Sequence, residues 1–101
     1  MLIDVFENPL RFRFDIVGAD VASWYGGTIG NSFLDETALH APFDGITSQC
    51  KATVEGSAPT YYRQTTAGKD GHPGGYARLL LPLWGDGRIA MLLGVVAPVS
   101  G

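Results

Sequence analysis

The chain has little charge and almost no sulfur. Only 17% of its 101 residues are charged, and its one cysteine is Cys50. A lone cysteine excludes a disulfide within the chain and fits a reducing compartment. Basic residues are scarce and scattered: seven Lys and Arg against ten Asp and Glu leave a net charge of −3. With no basic cluster, a nucleic-acid surface is not expected. The uncharged tail from Ile89 to Gly101 is too short to span a bilayer and holds Gly94 and Pro98. At the other end, Asp4 and Glu7 stand where a signal peptide needs a positive start and an unbroken apolar core. The expectation is a cytoplasmic protein with neither a nucleic-acid nor a membrane partner.

Catalytic motifs are missing too. The stretch Gly26 to Gly30 (GGTIG) does not follow a strand and lacks dinucleotide-loop spacing, so it reads as a tight bend. Ser23, Ser32, Ser48 and Ser57 lack a nucleophile elbow. Glu36 and His40 would share a helical face, but Pro42 follows closely and few further metal ligands are in sight. An ordinary polar surface or capping cluster is the simpler reading there, and no metal is expected. His72 reads as an exposed loop residue, and Cys50 as a small buried hydrophobe on a helix face. No enzymatic activity is expected.

What the chain has in quantity is apolar side chains, at 46%, and glycine, at 14 residues. Its length makes one domain over residues 1–101 the default. Leu2 to Phe6 and Arg11 to Val17 flank a turn. In the second segment Phe12, Phe14 and Ile16 alternate with Arg11, Arg13 and Asp15, the period of a half-buried strand. Asp20 can cap a short helix through Tyr25 that Gly26 stops. Residues 28–45 carry too much turn chemistry for a long element. Gly45 to Gly56 offers a helix whose Ile46, Cys50 and Val54 form one stripe. Pro59 to Ala67 is β-prone. Tyr76 to Trp84 and Arg88 to Val96 form a hairpin closed by Gly85-Asp86-Gly87. The order β-β-α-α-β-β-β implies an α+β fold, with an antiparallel sheet and helices between its second and third strands.

The last hairpin is apolar on both faces. Ala77, Leu79, Leu81 and Leu83 oppose Tyr76, Arg78, Leu80, Pro82 and Trp84; Ile89, Met91, Leu93 and Val95 oppose Ala90, Leu92 and Val96. Strands of that kind are covered on two sides, and the helices suffice for one. The face expected to stay bare carries Leu80, Trp84, Leu92 and Val96, and the partner expected there is a second copy in a two-fold homodimer. A pocket between sheet and helices is expected to be lined by Phe14, Ile16, Trp24, Tyr25, Phe33, Cys50, Val54, Tyr62 and Leu81.

Three stretches together resemble the PAS-domain superfamily, most closely the PAS-like family common in alphaproteobacteria. Arg13-Phe14-Asp15-Ile16-Val17-Gly18 is similar to its early strand, and Tyr25-Gly26-Gly27-Thr28-Ile29-Gly30 to its glycine bend. Leu79 to Leu83, Gly85 to Gly87 and Leu93-Gly94 are similar to its closing hairpin. Asn31 departs from the pattern, standing where a basic residue is common. The resemblance implies a five-stranded antiparallel sheet with short helices on one face. It also implies a signal-transduction module that binds a small molecule, mediates dimerisation, or both. It assigns no cofactor. Cys50 lies in SQCKA rather than in the flavin-binding cysteine motif, and the helix from Gly45 to Glu55 has no haem-binding histidine. Family members carry a segment before the first strand, so a missing N-terminal cap is a further expectation. The alternatives are a small enzyme or ligand carrier on a cone-shaped curved sheet, and a purely structural dimerisation domain.

Overall fold

The computed structural model describes residues 1–66 and 74–99. Five strands form one antiparallel sheet: β1 (Leu2–Phe6), β2 (Arg11–Ile16), β3 (Thr60–Thr66), β4 (Gly74–Gly85) and β5 (Arg88–Pro98). Between β2 and β3 lie helix α1 (Ala19–Tyr25), a 3-10 turn (Leu34–Glu36) and helix α2 (Ile46–Gly56). The α+β class and the element order read from the sequence are those observed. The strand order across the sheet is β2-β1-β5-β4-β3. The first and last strands are therefore neighbours, and the Gly94 N–H donates to the Met1 carbonyl at 2.8 Å. Gly94 is closely packed at that crossing. A Cβ there would lie 2.6 Å from Met1 Cε and 3.0 Å from Leu80 Cδ2.

The hairpin turn forms as expected. Asp86 and Gly87 have φ of 53° and 80°, the paired positive values of a type I′ turn. Gly26, with φ 88°, ends α1 by a left-handed cap. One local expectation was off: Gly18, not Asp20, precedes α1 as its cap, without a side-chain bond. Helix α2 ends at Gly56 as expected, and Ser57 takes the left-handed conformation after it. His72 and the expected strand end at Ala67 lie outside the described residues.

The core sits between the sheet and the helical layer. Ile3, Val5, Phe12, Phe14, Leu80 and Leu92 from the strands meet Tyr25, Leu34, Phe43, Ile46 and Cys50. This reverses the face expected for the last hairpin. Leu80 and Leu92 are fully buried under the helices, and Val96 packs against them. Trp84 alternates to the same side but is 63% exposed beside the hairpin turn. The bare face carries Leu79, Leu81, Leu83, Met91, Leu93 and Val95 instead. The physical reason is Arg78, on the same side of β4, whose guanidinium is buried with acceptors supplied by the helical layer.

Two irregularities shift other residues. The register slips between Leu2 and Ile3, where Leu2 pairs with Ile16 and Ile3 with Phe14, so Asp15 is bulged. Ile16 thereby leaves the side of Phe12 and Phe14 and is 56% exposed. In β5 the slip opposite Leu83 and Trp84 skips Ala90 and turns Ile89 inward with Leu92.

The two faces carry different stability. Leu80→Ala or Leu92→Ala should cost about 2–5 kcal/mol in urea unfolding, because a cavity opens in the core. Val95→Thr, on the bare face, should change the monomer's stability by no more than about 0.5 kcal/mol. Equal losses at both positions would contradict this assignment of faces.

Candidate functional site

The polar centre of the molecule is Arg78, in the middle of β4 and 0% exposed. Its Nε donates to Gln49 Oε1 at 2.7 Å, which ties it to α2. One terminal nitrogen, Nη1, donates to the Pro42 and Asp44 carbonyls, each at 2.9 Å. Those carbonyls belong to the turn that leads into α2. The other, Nη2, has no hydrogen-bond partner among the described residues. Tyr62 and Tyr76 flank the guanidinium, with ring centroids 4.9 and 5.7 Å from Cζ. Burial lowers the Arg78 pKa, but a guanidinium remains a cation at neutral pH.

A second tier of bonds holds these groups. Gln49 Nε2 donates to the Thr60 and Arg78 carbonyls, at 3.2 and 3.1 Å. Thr53 Oγ1 lies 2.6 Å from Thr60 Oγ1. Tyr76 OH donates to Asp44 Oδ1, and the Gln64 side-chain amide lies 2.9 Å from the same hydroxyl. Burial and the bond to Asp44 together push the Tyr76 phenol above its ordinary pKa.

The nine residues expected to line a pocket are not brought together as one. Phe14, Tyr25 and Cys50 are buried in the core, with Val54 packed against it. Phe14 packs against Phe43, ring centroids 5.0 Å apart. Trp24 and Tyr62 are exposed, and Leu81 and Ile16 lie on the bare face. Phe33 pairs with Arg13 at the edge of the sheet and packs on Phe6. A cleft of about 130 Å³ lies elsewhere, lined by Leu10, Arg11, Phe12, Leu34, Asp35, Thr47 and Lys51. Arg11 closes one side of it, bonded to both Asp35 oxygens at 2.8 and 2.9 Å and to Glu36 at 2.9 Å. Those bonds hold the Asp35 carboxyl below its ordinary pKa.

Glu36 and His40, the candidate metal pair, are engaged separately. His40 Nε2 donates to the Tyr25 carbonyl at 2.8 Å, and its ring stacks on Tyr25 at 3.9 Å. Among the described residues no three His, Cys, Asp or Glu side chains gather. Among the described residues the buried polar side chains are Gln49, Thr53 and Arg78, none of them a carboxylate. Sequence reasoning missed this trio. The available signal was the spacing of Gln49 and Thr53, which places both beside Cys50 on the buried face of α2.

Burial pushes the Cys50 thiol up to about 12, from an ordinary value near 9. The unfolded thiol therefore ionises first. The stability that neutral Cys50 contributes is complete below about pH 9 and is lost as pH rises towards 12. Cys50 is expected to resist a thiol reagent in the folded protein at mildly alkaline pH and to react promptly in urea. The urea midpoint of Cys50→Ala should fall less across that pH range than the wild-type midpoint. Rapid labelling of folded protein would contradict the burial.

Scanned against protein-family models and searched against curated proteins, the chain matches none.

Proposed function

We propose that this chain is a sensory and interaction module of the PAS type, cytoplasmic, which binds a small molecule beneath its sheet and pairs with a second copy through the sheet's bare face. The observation that carries the pairing is the composition of that face. Cross-strand pairs Leu2–Leu93, Leu81–Leu93, Leu79–Val95 and Leu83–Met91 cover three adjacent strands with apolar side chains. Val95 is 53% exposed. An antiparallel sheet that faces water normally alternates to polar residues on that side. Here charged groups are few: Arg13 on edge strand β2 is paired with Asp4 of β1 at 2.7 Å, and Arg63 stands on the opposite edge strand.

Size favours a second copy over a small ligand on this face. Five strands about 4.8 Å apart, over roughly 20 Å of their length, present roughly 500 Å². A standard interface takes about 800 Å² from each partner, so the face supplies most of one half. An apolar centre with a charged rim is also the usual anatomy of such a contact. The interface residues differ from those expected on sequence grounds, but the partner and the two-fold geometry are the same. The buried, unpaired Cys50 is compatible with a reducing compartment. Among the described residues no helix is long and apolar enough to cross a membrane.

Sedimentation equilibrium at micromolar concentration should give a dimer for the wild type and a monomer for Val95→Asp or Leu93→Asp. Both variants should keep the wild-type far-ultraviolet circular dichroism, because neither side chain enters the core. A wild-type monomer would remove the proposal.

A further inference from the structure

We propose that the Arg78 Nη2 group and the uncapped N-terminus of α2 form a binding site for a small oxyanion, a carboxylate or a phosphate. It deepens, and rests on, the small-molecule half of the proposed function; it is independent of the dimer.

The first observation is an incomplete set of bonds. A guanidinium has five N–H donors. Nε and Nη1 of Arg78 place three of them, on Gln49, Pro42 and Asp44. Both hydrogens of Nη2 are unplaced among the described residues, although the side chain is 0% exposed. A buried cation needs hydrogen bonds and a counter-charge. The ion pairs among the described residues join Arg11 to Asp35 and Glu36, and Arg13 to Asp4; none reaches Arg78. Asp44, the nearby carboxylate, offers Arg78 its carbonyl while Tyr76 OH holds its side chain.

The second observation is what Nη2 faces. The cap residue of α2 is Gly45, with φ 73° and no side-chain cap bond. Nη2 would lie 3.9 Å from a Cβ built on Gly45, so the missing side chain leaves a notch at the helix start. Among the described residues, the Ile46 and Gln49 N–H groups are bonded to carbonyls, whereas those of Thr47 and Ser48 have no backbone partner. The positive end of an eleven-residue helix and a guanidinium edge thus meet at one notch. An oxyanion supplies what both lack, and the arginine fork suits carboxylate and phosphate alike. Tyr62, 37% exposed, covers the guanidinium with its ring centroid 4.9 Å from Cζ.

The test is titration of nitrogen-15-labelled wild-type protein with sodium acetate and, separately, with inorganic phosphate, ionic strength being held with chloride. Saturable shifts of the Arg78 Nε–H and the Thr47 and Ser48 amides are expected for at least one anion, at a Kd of about 1 mM or tighter. Which anion saturates identifies the oxyanion. Shifts that stay linear for both would overturn the site. Gly45→Asp places a carboxylate in the notch, and Asp and Asn tolerate the left-handed backbone. This variant should lose the response and have a higher Tm at low salt than Gly45→Asn. Wild-type affinity in Gly45→Asp would also overturn the site. Sedimentation of the same samples separates the two proposals: loss of anion binding should leave the dimer intact.

Discussion

Arg78 fastens the helical layer to the sheet. Charge is costly inside a protein unless its donors are met, so a buried guanidinium dictates where acceptors must stand. Here they come from the turn before α2, through the Pro42 and Asp44 carbonyls, and from Gln49 within it. The same glutamine bonds back to the carbonyls of Thr60 in β3 and Arg78 in β4. The helix is therefore held in register with both strands by directional bonds. Its apolar contribution is short, chiefly Ile46 and Cys50, and would permit sliding alone. Removing the arginine would leave Gln49 and two carbonyls with unmet needs in a dry place.

That arrangement settles the use of the two sheet faces. Helices occupy the face that carries Arg78, Leu80 and Leu92, and the opposite face keeps its leucines and valines bare. In the proposed function β4 is common to both activities. Arg78 points to the ligand side and its chain neighbour Leu79 to the partner side, by the simple alternation of a strand.

The sequence by itself determined the element order, the antiparallel class and the hairpin turn at Gly85-Asp86-Gly87. These depend on short-range patterns: alternation in β2, left-handed glycine after α1, and a two-residue turn between long apolar strands. The partition of β4 into two faces was also legible, because alternation along an unbroken strand is strict.

Only the tertiary structure decided which face lies inside. Both faces of the last hairpin are apolar, so hydrophobic pattern gives no preference, and the buried face carries the one charge on β4, Arg78. Its burial depends on acceptors from residues 29 to 36 positions earlier in the chain, a distance no local pattern records. The bulge at Asp15 and the slip in β5 were equally hidden, since one skipped residue turns Ile16 outward and Ile89 inward without altering composition. The candidate site shares that origin. Arg78, Gln49 and the notch at Gly45 come from distant segments, and each is unremarked in sequence until packing sets a cation without a counter-charge beside an uncapped helix.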